Sequence, residues 1–231
     1  MSDILQQLIQ ENILWQGVWE TVYMTLISTV FAYIIGLPLG VILGITDENG
    51  IRPIKWLNTA LGFIINVFRS IPFLILMVAF LPVAKLIVKT SLGNKAMIVM
   101  LVIAAAPYVA RMVESSIKEI GTGVVEAAKS MGANTWQIIY KVLIPESKPS
   151  LIIGAVISTI TILGYSAMAG TIGAGGLGKI AISYGHQRYK DDVIWVCVIL
   201  MVIIVQTLQI IGMTIAKKTD RRITNTKKRK K

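Results

Sequence analysis

The sequence predicts an all-α membrane protein with five transmembrane helices and one large cytoplasmic segment between the third and the fourth. Three observations carry this. Of 231 residues, 55% are hydrophobic and only 15% are charged, with a mean hydropathy of +0.70; a soluble domain usually carries about 25% charged residues, spread throughout. The stretches 21–45, 96–110, 150–172 and 193–216 contain no Asp, Glu, Lys or Arg, and an apolar run of roughly 18 or more residues reads as a spanning helix. Finally, the basic residues are unevenly placed: nine of the 23 follow Ala216. Together these exclude a soluble enzyme, a secreted disulfide scaffold and a disordered chain.

Residues 1–19 are expected to form an N-terminal interfacial helix. Ile4, Leu5, Leu8 and Ile9 recur at helical spacing, which suits a helix lying on the membrane surface, and Trp15 and Trp19 fit headgroup depth. Residues 20–216 form the five-span domain, with spans at about 20–45, 58–84, 94–114, 150–172 and 193–216. In the first, Gly36, Gly40 and Gly44 recur every four residues, a spacing that lets two membrane helices approach closely. In the second, Arg69 is the only charge deep in a span, and such charges are costly. Pro72 cannot donate to the Phe68 carbonyl, so Arg69 is expected as a structural intramembrane charge, serving that broken region or an acidic partner. The third span has Lys95 and Arg111 at its edges, and snorkelling of both lengthens it.

Residues 217–231 are expected as a basic cytoplasmic tail. With that tail inside and five spans, the N-terminus lies outside. Sixteen basic residues then fall in inner segments and six in outer loops, the expected bias. The tail explains much of the net charge of +11; it suits anionic lipid headgroups and gives no reason to expect nucleic acid as a partner. Cys197 is the lone cysteine and His186 the lone histidine, so neither an internal disulfide nor a protein metal site is expected.

The segment at about 119–147 is too long for a plain connection. Glu126, Ala127, Ala128 and Lys129 favour a helix that Gly132 stops at a C′ position. Asn134 with Gln137 has capping-box spacing for a second helix, which Pro145 and Pro149 are expected to limit before the fourth span begins. The product is helix, sharp turn, helix, a ledge suited to docking a soluble partner or to resting on lipid.

These residues resemble the EAA loop of ABC importer permeases: EAA, three residues, Gly, nine residues, then Ile-x-Leu-Pro. Glu126, Ala127, Ala128, Gly132 and Pro145 match, while Val142 and Ile144 replace the Ile and Leu. Phe68-Arg69-Ser70-Ile71-Pro72-Phe73, the stretch 106–114 and Gly164-Tyr165-Ser166-Ala167-Met168 narrow the likeness, which covers 17–217, to the methionine importer permeases. The resemblance implies a type I ABC importer permease fold and a transport subunit, not an enzyme, in the cell membrane. Its cytoplasmic loop would be a coupling helix seated on an ATPase through Glu126, Ala127, Ala128, Gly132 and Pro145. It further implies a second copy of the chain, two ATP-binding subunits and an extracytoplasmic substrate-binding protein or lipoprotein. ATP and Mg would be bound by the partner ATPase, with no cofactor on this chain. A permease for another small solute, such as a phosphonate or an osmoprotectant, is the alternative within the class. An ion-coupled secondary carrier is the alternative outside it, but it needs acidic residues at span centres, where this sequence has none.

Gly173-Ala174-Gly175-Gly176-Leu177-Gly178-Lys179 fits GxGxxG, yet Ile180 stands where a phosphate-binding loop needs a hydroxyl, and a membrane helix precedes it instead of a strand. Gly173 and Gly175 are read as part of an outer gate or as a tight connection. Tyr165, Ser166 and Met168 are read as candidates for the translocation pathway, with ordinary helix packing as the alternative for Met168.

Overall fold

The computed structural model describes residues 3–220, and every regular element among them is helical. In chain order these are α1 (Asp3–Gln10), α2 (Ile13–Thr46), α3 (Lys55–Ser70), α4 (Phe73–Ala79), α5 (Leu81–Val88), α6 (Asn94–Lys118), α7 (Thr122–Ser130), α8 (Thr135–Ile138), α9 (Ile144–Ala169), α10 (Leu177–Ile180) and α11 (Asp191–Thr219). A π-helical turn, Ile139–Leu143, joins α8 to α9, a 3-10 turn, Gly170–Ile172, follows α9, and a second π-helical turn, Ala181–His186, extends α10. Among the described residues, α2, α6, the run Thr135–Ile172 and α11 are long and apolar enough to cross a membrane; counted as one broken span, α3 and α4 make a fifth.

The second span, expected over about 58–84 with a broken region at Pro72, is divided there into separate helices, α3 and α4. Pro72 has no N–H to offer Phe68 and adopts an extended conformation (ψ 134°), so α4 starts afresh at Phe73. Differences at the fourth span run the other way. Pro145 and Pro149 do not separate the helix begun at α8 from the span; both lie inside α9. Pro145 enters in the first turn of α9, where its missing donor matters least, and the π-helical turn before it carries the chain through, with the Ile144 N–H bonded to the Ile139 carbonyl.

The chain forms two compact units: Met1–Ala32, Ile71–Ala105 and Ser158–Gln209 make the first, and Tyr33–Ser70, Ala106–Ile157 and Ile210–Lys231 the second. The first unit has a core of Leu5, Leu8, Leu14, Leu177, Ile180, Val193 and Cys197. The apolar face of α1 is thus covered by α10 and the start of α11, not by lipid alone, because Leu5 and Leu8 find a protein surface to bury against. Asn12, at φ 58°, turns the chain from α1 into α2.

In the second unit α2 packs along α6 through the three glycines. A Cβ at Gly36 would lie 2.7 Å from Val109 Cγ1, Gly40 faces Ala110 and Val113, and Gly44 faces Ile117. Contacts advance in the same direction along both helices, so the pair is parallel, and α2 and α6 end side by side.

Candidate functional site

The segment between α6 and α9 is built as its turn residues dictate. Gly132, at φ +79°, takes the left-handed conformation that a helix C′ position requires. Its N–H bonds the Lys129 carbonyl at 2.9 Å, and the Ala133 N–H bonds the Ala128 carbonyl at 3.1 Å, the paired bonds of a Schellman ending. Two residues on, Asn134 and Gln137 form a reciprocal capping box: the Gln137 N–H donates to Asn134 Oδ1 and the Asn134 N–H to Gln137 Oε1, each at 2.9 Å. The turn between α7 and α8 is therefore fixed at both ends.

Around it Glu126, Ala127, Lys129, Gly132 and Pro145 are exposed, whereas Ala128 is buried. Ala128 shapes α7 from behind instead of offering surface. Three large side chains absent from the motif dominate the exposed area: Met131 at 81%, Trp136 at 80% and Tyr140 at 75% exposure. Trp136 and Tyr140 lie four residues apart on continuous helix, so they share one face. Their spacing was readable in the sequence, but nothing there distinguished an exposed apolar pair from a buried one.

A row of charges on α6 lies in the same unit. Arg111 Nη1 donates to Glu114 Oε2 at 2.6 Å, and Nη2 donates to the Gly62 carbonyl at 3.2 Å and to Asn66 Oδ1 at 2.9 Å. Lys118 Nζ lies 2.8 Å from Glu114 Oε1 and 3.3 Å from Asp47 Oδ1. Glu114 is only 6% exposed. Arg111 thus does not snorkel toward the surface; it is committed to an ion pair and to α3. The sequence signal was present in the i,i+3 and i,i+4 spacing of Arg111, Glu114 and Lys118. Arg69, by contrast, is exposed at the end of α3 and forms no ion pair among the described residues.

In the other unit, the residues read as pathway or gate separate into different roles. The Tyr165 ring stacks on Phe73 at 4.3 Å between centroids, which seats the first residue of α4 against α9. Ser166 is buried, and its hydroxyl donates to the Leu163 carbonyl at 2.7 Å. Met168 is 48% exposed and shares an exposed face of α9 with Gly164. Tyr165 and Met168, three residues apart, lie on neighbouring positions of one side of α9, whereas Ser166 is turned away from them into the packed interior.

Gly173 and Gly175 belong to a loop tied down by its own unit. The Gly175 N–H donates to Asn94 Oδ1 at 2.7 Å, the Gly176 N–H to Glu20 Oε2 at 2.8 Å and the Leu177 N–H to Thr21 Oγ1 at 2.9 Å. A loop that cradles phosphate keeps such amides for the anion; here Asn94 of α6 and Glu20 and Thr21 of α2 already occupy them. Gly173 and Gly176 have φ +96° and +91°, and the Gly93 N–H bonds the Gly173 carbonyl at 3.1 Å. The loop joins the beginnings of α2 and α6.

Residues 36–225 match the family of binding-protein-dependent transport system inner membrane components. The chain belongs to that family. It is therefore a multi-pass membrane transport subunit. The chain is 49% identical over 177 residues to a probable D-methionine transport system permease protein, MetI, of Vibrio cholerae serotype O1, covering 77% of this chain and 79% of that one. It is 47% identical over 178 residues to the methionine import system permease protein MetP of Bacillus subtilis (strain 168), covering 77% and 80%. In structure it resembles a chain of the MetNI methionine ABC transporter in an inward-facing conformation, with a TM-score of 0.90 and 44% identity over 96% of this chain and 100% of that one. The type I ABC importer permease fold expected from the EAA-like segment is thus the fold found. Of the basic tail, residues 221–231 lie outside the described residues.

Proposed function

We propose that this chain is the permease subunit of an ATP-driven importer that carries methionine, D-methionine included, into the cell by alternating access. The observation that carries the reading is the likeness to the MetNI chain along nearly the whole length of this one. Two copies surround one pathway, two ATP-binding subunits dock on the cytoplasmic side and hold the ATP and Mg, and an extracytoplasmic substrate-binding protein or lipoprotein delivers the cargo. The N-terminus is outside and the basic tail inside.

Glu126, Ala127 and Gly132 form the docking ledge, extended by Met131, Trp136 and Tyr140; Ala128 and Pro145 shape it. Closure of the ATPases pulls this ledge and tilts the spans. Met168, on the exposed face of α9, lines the pathway. Tyr165 and Ser166 hold that helix in place, and Gly173 and Gly175 form an outer gate hinged on Glu20 and Asn94. Arg69 remains a structural charge satisfied outside a single copy.

The test is uptake into vesicles that carry this chain, its ATPase and its binding protein. Labelled methionine should enter only with ATP and be displaced by unlabelled D- and L-methionine. Displacement by a phosphonate or an osmoprotectant instead would assign another cargo, and uptake driven by an ion gradient without ATP would overturn the importer reading.

A further inference from the structure

A buried carboxylate is costly unless charge and hydrogen bonds compensate it, and Glu114 is compensated twice. Arg111 sits one turn before it and Lys118 one turn after it, so a single face of α6 reads plus, minus, plus. Each cation also reaches off the helix. Arg111 grips α3 at the Gly62 carbonyl and Asn66, and Gly62 leaves room for it: a Cβ there would lie 3.3 Å from Arg111 Nη2, so the guanidinium would have to shift by a few tenths of an ångström. Lys118 grips Asp47, the first residue after α2. With Asp47 the row contains two positive and two negative groups and links three helices.

The same row borders the docking ledge. Asp47 and Lys118 line a cavity of about 290 Å³ together with Glu126 and Lys129 of α7. A displacement of α7 meets, across this cavity, the groups that bind α2 to α6.

We propose that Glu114 is the hub of a charge clamp whose task is to transmit movement of the ledge to the spans, making Arg111, Lys118 and Asp47 positioning residues for coupled transport. The inference rests on the importer reading above. A purely structural role is distinguishable because uncharged contacts hold the same three helices. The glycine seam packs α2 on α6, and Asn58 Nδ2 donates to the Leu43 carbonyl at 2.8 Å and to Thr46 Oγ1 at 3.2 Å, tying α3 to α2. Assembly survives without the clamp; what is lost is the fixed relation between helix ends that converts a push into a tilt.

The experiment uses the complete transporter in proteoliposomes and reads labelled methionine moved per ATP hydrolysed. Glu114→Gln should lower this ratio by at least about threefold, the scale of mutations that act on coupling between sites, while the ATPase subunits still co-purify and still hydrolyse ATP. Lys118→Met and Asp47→Asn should lower it less, and Lys118→Arg should keep it near the unsubstituted value. An unchanged ratio in Glu114→Gln, or transport and hydrolysis falling in parallel, would overturn the clamp. Should Glu114→Gln fail to assemble, Lys118→Met and Asp47→Asn decide alone, since both side chains are partly exposed: a lowered ratio supports the clamp and an unchanged one rejects it. The unsubstituted transporter separates the two readings. If it moves no solute on ATP, the importer reading fails; if it does and the variants keep its ratio, only the clamp fails.

Discussion

Two glycine-containing turns in this chain are made for opposite ends. At Gly132 the backbone needs a left-handed residue and nothing else: no atom lies within 4 Å of where a Cβ would stand. At the loop 173–178 space is the limiting quantity. A Cβ at Gly178 would fall on the backbone of Ala167, and one at Gly175 on the Glu20 carboxylate. The first turn leaves its surroundings open and surrounds itself with exposed Met131, Trp136 and Tyr140; the second spends the amides of Ala174, Gly175, Gly176 and Leu177 on its own unit. One leaves its surface open, and the other ties the beginnings of α2 and α6 together.

The comparison can be broken at four places. Gly178→Val should have the largest effect, because a backbone neighbour cannot move aside; overpacking of this kind costs about 3 kcal/mol. A clear drop in thermal unfolding temperature and membrane yield is expected, and near-normal melting would show that the loop is slack. Glu20→Ala should cost about 2 kcal/mol by leaving the Gly176 amide without its acceptor, with Glu20→Gln recovering part of the loss in the same melting assay. Gly132→Val meets no collision, only a strained backbone worth about 1–2 kcal/mol. It should melt almost normally while ATPase co-purification weakens, and unchanged co-purification would count against the ledge. Asn134→Ala removes one half of the capping box, a loss of about 1 kcal/mol, visible as faster amide exchange confined to 134–138.

The ledge turn was legible because helix capping is local: Gly132, Asn134 and Gln137 act on residues a few positions away. Four long spans were legible for a similar reason, since an uninterrupted apolar run needs no partner to declare itself. The broken second span was not foreseen as two helices, although Pro72 marked the spot, because whether a proline bends or ends a membrane helix depends on what receives the freed segment; here Tyr165 receives Phe73. Pro145 and Pro149 misled in the opposite sense: Pro145 falls in the first turn of α9 just after a π-helical turn, and α9 continues through Pro149 as a regular helix. The exposure of Trp136, the burial of Ala128 and Ser166, and the seating of α1 on α10 all depend on contacts far away in sequence. Arg111 shows the intermediate case: its neighbours Glu114 and Lys118 were in plain view at helical spacing, but its reach to Gly62 and Asn66 required the packing of α3 on α6.

The ledge itself is open to a direct measurement. Ala127 is exposed and the native Cys197 is buried, so an Ala127→Cys chain offers one accessible thiol to a membrane-impermeant maleimide. Labelling should be absent in intact cells, present in inside-out vesicles stripped of the ATPase, and suppressed when the ATPase is bound. Labelling of intact cells, or labelling indifferent to the ATPase, would contradict a cytoplasmic docking ledge.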